Sequence, residues 1–204
     1  MAKIIDKDEK RCDIARASIE LFCDKGIAQT SIDEIAKSAG VAKGTIYLYF
    51  KNKEEIILTI WEMLVREHHE IFQSQITESM SAKEKILRLF DFSECTHEHD
   101  KEQILTLYQN LISTMLTDKT GLYTNYCKGL YHNDYEIIAS CLHQGIEKQE
   151  LIPCDVDKLT NAIIICMEGI VIQSKMHQLT FQETQVMLTR YITFLLTQHE
   201  RKDA

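Results

Sequence analysis

Apolar residues return along most of this chain at three- and four-residue intervals, the spacing of a helix face and not the alternation of a strand. Over residues 8–25, Ile14, Ala17, Leu21 and Phe22 mark one such face, and Gly26 stands where a left-handed cap would end the helix. Ser31 followed three residues later by Glu34 has capping-box spacing and predicts a short helix over 32–38. Ala39-Gly40-Val41 reads as a tight connection, because the apolar set Ile32, Ile35 and Ala36 stops and a new one, Val41, Ile46 and Phe50, begins. Asn52 before Lys53, Glu54 and Glu55 is another cap with acids in its first turn, opening a long helix through Ile56, Ile60, Trp61 and Leu64. Ser81 with Glu84, Thr180 with Glu183, and Asp155 after Pro153 supply further starts, and along this stretch helices are expected near 82–96, 101–117, 121–149, 156–178 and 181–198.

One proline and seven glycines in 204 residues are too few for a sandwich or barrel, so the expected fold class is all-α. At 45% hydrophobic content the chain can bury a core without staples. Seven cysteines, an odd number with no Cys-x-x-Cys pair, argue against a disulfide framework or a zinc ribbon and read as reduced thiols. No uninterrupted apolar run approaches the ~20 residues of a membrane span, and the first eleven residues are charged, so the expectation is a cytoplasmic protein with no membrane partner.

The formal net charge of -8 speaks against nucleic acid until its distribution is considered. Residues 1–56 hold as many Lys and Arg as Asp and Glu, so the acidic excess lies beyond them. Between Ile35 and Lys53 stand Lys37, Lys43, Lys51 and Lys53 with no acid, a local basic face.

Residues 31–50, SIDEIAKSAGVAKGTIYLYF, have the size of a helix-turn-helix: a bracing helix, a glycine turn, and a second helix able to enter a major groove. The outward positions of that second helix, Lys43, Gly44, Thr45, Tyr47, Leu48 and Tyr49, mix a cation, hydroxyls and apolar surface. Hydroxyls and Lys bond phosphates, and Thr and Leu meet thymine methyls, so this face suits DNA better than water. Preceded by AxxxLFxxxG at 17–26, the stretch TSIDEIAKSAGVAKGTIYLYFKNKEEI resembles the amino-terminal signature of the TetR family of bacterial transcriptional regulators, over about residues 8–68. The resemblance implies an amino-terminal three-helix DNA-binding domain, 1–54, and a larger helical ligand-binding and dimerisation domain, 55–204. It implies that Ser31 caps the second helix and touches phosphate, that Lys43, Gly44 and Thr45 face bases, and that Tyr47, Tyr49 and Lys53 grip the backbone. Asp33 departs from relatives with a basic residue there, which puts a DNA contact from that position in doubt.

In the same family the last two helices form a four-helix dimer interface. The apolar sets Leu159, Ile163, Met167, Ile170, Val171 and Phe181, Leu188, Tyr191, Ile192, Leu195 are expected to fill that role. The expected partners are a palindromic double-stranded DNA operator, a second copy of the chain, and a small effector that releases a repressor from DNA. Trp61, Phe72, Tyr108, Met115, Tyr126 and Met167 are candidates to line the effector pocket.

An alternative is a metal-responsive regulator using Cys95, His97 and His99, although only Cys95 and His99 share a helix face. The weaker alternative, a zinc-dependent hydrolase, has only His-Glu-His at 97–99 to rest on. No Gly-x-Ser-x-Gly, His-Glu-x-x-His, Gly-x-Gly-x-x-Gly or phosphate loop occurs, so the expectation is no enzyme activity and no cofactor.

Overall fold

The computed structural model describes residues 7–93 and 98–201, apart from the side chains of 98–100. Ten α-helices lie among the described residues: α1 (Lys7–Ala17), α2 (Ile19–Gln29), α3 (Ile32–Ser38), α4 (Lys43–Tyr49), α5 (Lys53–Gln75), α6 (Ala82–Leu89), α7 (Glu98–Thr117), α8 (Leu122–Glu147), α9 (Val156–His177) and α10 (Phe181–Thr197). The fold is all-α. Local chemistry sets most starts: reciprocal capping boxes form at Ser31/Glu34, Ser81/Glu84 and Thr180/Glu183. Asp155 caps α9 through the Lys158 amide, and Asn52 Oδ1 accepts the Glu55 amide at 2.9 Å.

Two helices differ from the sequence reading. The helix expected over 8–25 is broken at Ser18, whose hydroxyl donates to Ile14 O at 2.7 Å while its amide reaches back only three residues, to Ala15 O. A buried serine that bonds the preceding turn in this way tightens the backbone and ends α1. Gly26 does halt the helical run at a positive φ of 73°, but with an extended ψ of 170° in place of the left-handed cap, and a last short turn follows. The helix expected over 82–96 ends at Leu89. The following segment is held otherwise: Gln185 donates to Phe90 O at 2.8 Å and accepts from the Phe92 amide at 3.3 Å.

The chain divides into two compact units, Met1–His68 and His69–Ala204, with the division inside α5. In the first, α1, α3 and α4 pack on one another around Ile14, Phe22, Ile35, Ile46 and Phe50, each at most 2% exposed. In the second, α8, α9 and α10 pack in sequence with α6 against α8 and α10, around Ile86, Ile138, Leu142, Ile163, Ile192 and Leu196.

The apolar sets expected at a dimer seam lie inside this second core. Leu159, Ile163, Met167, Ile170, Val171, Phe181, Leu188 and Ile192 are buried, Leu195 packs against them, and only Tyr191 stands out, at 48% exposed. Both helices are apolar on two faces, so periodicity finds the stripe without telling which side turns inward. The outward side carries Ile165 at 64%, Ile172 at 44% and Met176 at 68% on α9, and Val186 at 55% and Phe194 at 61% on α10. Among the described helices α9 alone is long and apolar enough to cross a membrane, and its Leu159–Val171 stretch supplies part of this core.

Candidate nucleic-acid interface

The site is built from the turn outward. The Ala39 amide donates to Ile35 O, the Gly40 amide to Lys37 O, and the Val41 amide to Ala36 O at 2.9 Å, the paired bonds of a Schellman ending. This ending needs a left-handed residue, and Gly40 provides it with φ +64° and no side-chain clash. Ser38 Oγ donates to Ala17 O at 2.7 Å and ties α3 to α1. At the other end of α3 the Ser31 amide and hydroxyl both donate to Glu34, which also pairs with Lys25. The Lys25 ammonium and the Ser31 donors hold the Glu34 carboxyl down to about 2.

With Ile46 and Phe50 anchored in the core, α4 turns its remaining positions outward. Tyr47 is 54% and Leu48 72% exposed, Lys43 and Gly44 are exposed, and Thr45 and Tyr49 are half-buried. A β-carbon on Gly44 would meet nothing within 4 Å, so bare backbone is presented there. This face offers a cation, hydroxyls and methyl-sized apolar groups on a short rod, the equipment for reading a groove.

Three side chains at this site make internal contacts that the sequence pattern does not show. Lys43 Nζ lies 2.7 Å from an Asp33 carboxylate oxygen, and that bond and charge raise the lysine pKa. Lys53 Nζ donates to Ala28 O at 2.8 Å and Thr30 O at 3.2 Å, so it also ties down the exit of α2. Arg11, which the sequence offered only as part of a charged amino terminus, donates to Tyr49 O and to Thr59 Oγ1 at 3.0 Å, with its guanidinium 4.4 Å from the Phe50 ring centre. The partners of these contacts are ten or more residues apart, beyond the reach of local pattern.

Of the pocket candidates, Tyr108 and Met167 are brought together, the phenol donating to the thioether at 3.6 Å. Burial, with Glu168 and Asp134 nearby, pushes the Tyr108 phenol up. Phe72 and Met167 share the second core, while Met115 and Tyr126 are half-buried on α7 and α8. Trp61, 5% exposed, falls in the first unit. Cys95 and His97 lie outside the described residues, as does the side chain of His99.

Residues 14–60, from the end of α1 through α4 into α5, match the family model for bacterial regulatory proteins of the tetR family. The chain is 41% identical over 80 residues to the fatty acid metabolism regulator protein of Bacillus subtilis (strain 168), a match covering 39% of this chain and 41% of that protein. The chain therefore spans about two fifths of that curated relative's length. The crystal structure of a FadR transcriptional regulator from Bacillus subtilis in complex with stearoyl-CoA superposes with a TM-score of 0.69 at 25% identity, covering 91% of this chain and 97% of that one. A TetR transcription regulator from Haloarcula marismortui reaches a TM-score of 0.81 at 11% identity over 95% and 99% of the two chains, a likeness of fold. The outward face of α4, the glycine turn that sets it and these similarities converge: the chain carries the amino-terminal domain of the tetR family of bacterial regulatory proteins, and over nine tenths of its length it shares the fold of solved TetR regulators.

Proposed function

We propose that the chain is a cytoplasmic repressor that binds a palindromic operator as a homodimer and leaves it when a small molecule binds. The observation that carries this reading is the outward face of α4 over a core-anchored Ile46 and Phe50. In it, Lys43, Gly44, Thr45 and Leu48 meet base edges, and Ser31, Tyr47, Tyr49 and Lys53 meet phosphates. Residues 1–54 are the DNA-reading part. Lys53 spends two of its three donors on Ala28 and Thr30, which leaves one for a phosphate.

One recognition helix covers only a few base pairs, so two copies are needed to reach successive groove faces. The surface suited to hold them is the outer side of α9 and α10, where Ile165, Ile172, Met176, Val186, Tyr191 and Phe194 leave more apolar area in water than a monomer needs. For the effector, Phe72, Tyr108, Met115, Tyr126 and Met167 of the second unit supply aromatic and thioether lining. The stearoyl-CoA of the Bacillus subtilis structure favours a ligand with a long apolar part. The acidic surplus beyond residue 56 favours a neutral or cationic remainder. A ligand preferring one arrangement of the protein shifts its population, and about 1–3 kcal/mol of coupling changes DNA occupancy by one or two decades. The test is a titration of the DNA-bound protein with acyl-CoA thioesters and with neutral and cationic apolar compounds. Release by at least one class supports the reading, and indifference to all of them contradicts effector control.

A further inference from the structure

We propose that Arg11 is a positioning residue for the DNA-reading helix, clamping the carboxyl end of α4 between α1 and α5; this rests on the proposed role of α4 in reading DNA. A helix of seven residues has little of its own to fix its rotation, and α4 buries only Ile46 along its length. Its last carbonyls have no partner within the helix. Arg11 reaches one of them, Tyr49 O, from α1, 38 residues away in sequence. The same fork reaches Thr59 Oγ1 on α5 at 3.0 Å, and Thr59 donates its only hydroxyl proton to Glu55 O at 2.8 Å, leaving its oxygen free to accept. The guanidinium plane then rests over Phe50, the residue that closes α4. Three helices are thereby tied at one planar cation placed at the negative end of α4, where a cation is favoured. A lysine has no fork with which to reproduce this. With both terminal nitrogens donating to the protein, Arg11 serves DNA binding through the pose of Tyr47, Leu48 and Tyr49 and not as a phosphate ligand.

The test compares wild-type protein with Arg11→Met, Arg11→Lys and Thr59→Val. The probes are a labelled duplex cut from genomic fragments that the wild type retains and an unrelated duplex of equal length. Affinity is read against salt, and amide exchange over residues 43–50 is read in the free protein. The expected result for Arg11→Met is a loss of about tenfold or more on the retained duplex, the scale of a broken charged hydrogen bond. The salt slope should stay at the wild-type value, and exchange in α4 should quicken while that of α8–α10 does not. Thr59→Val, with the cation left in place, shifts both readouts in the same direction by less, and Arg11→Lys recovers less than half of the loss. Wild-type affinity and exchange in Arg11→Met would overturn the proposal. So would a salt slope lowered by about one and fully restored by Arg11→Lys, the behaviour of a phosphate contact. If wild-type protein retains no DNA, the DNA-reading role of α4 falls, and the exchange measurement alone decides whether Arg11 holds α4.

Discussion

Lys43 and Asp33 face each other across the helix-turn-helix, the ammonium 2.7 Å from the carboxylate and both side chains more than half exposed. The first turn of the reading helix is therefore partly neutralised by the protein's own acid. An exposed pair is easily exchanged, so a phosphate or a guanine edge can take the lysine from Asp33, but the released carboxylate then stands near DNA. Asp33→Asn is expected to tighten binding to every duplex and to steepen its salt dependence by about one phosphate equivalent. Binding isotherms at a series of salt concentrations check this; weaker binding of all duplexes by Asp33→Asn would mean that the acid itself contributes to recognition.

Lys53→Met removes two hydrogen bonds to backbone carbonyls and one proposed phosphate contact. The expected cost is about 1–3 kcal/mol of stability from the carbonyls left behind, together with a salt slope flatter by about one. Denaturant unfolding and salt-dependent binding separate the two roles.

The capping acids make stability fall in acid. Glu34 and Asp118 have folded-state pKa values of about 2, below their ordinary 4.5 and 3.8, and Glu84 and Glu183 are lowered by the donors of Ser81 and Thr180. For a lowered carboxyl the contribution is complete above the unfolded value and is lost as pH drops through the folded one. Melting temperature is thus expected to decline from about pH 4.5 toward pH 2, and a Glu34→Gln, Glu84→Gln, Glu183→Gln triple variant should show a shallower decline across that window.

Phe194→Asp with Ile172→Asp places charges on the outer side of α9 and α10 without touching the inner core. Sedimentation is expected to give a monomer that keeps its helical signal, with loss of cooperative operator binding. Ile192→Asp, by contrast, buries a charge in the second core and should unfold that unit.

What could be read from the sequence was what nearest neighbours decide. Ser31, Ser81 and Thr180 sit three residues before the glutamates that complete their caps, and each opened its helix as expected. Gly40 announced its turn because a left-handed backbone needs it. Ser18 gave no warning, since a serine bonding back to Ile14 looks the same in sequence as one inside a continuous helix. The α9 and α10 sets expected at a dimer seam lie in the core, Tyr191 excepted, because Ile163 and Ile165 are equally apolar and only the surrounding helices decide which is covered. At the candidate site, α4 and its outward residues were legible from their spacing, whereas the Asp33, Ala28 and Arg11 contacts depend on how α1, α2, α3 and α5 meet.

Whether α4 reads a palindrome as one of two copies is decided by exposing sheared genomic DNA to the purified protein and footprinting the fragments it retains. The expected result is a pseudo-palindrome with two protected half-sites on one face of the duplex, about 34 Å apart or farther, occupied by two chains. Retention no better than that of unrelated DNA, or a single half-site protected by one chain, would contradict it.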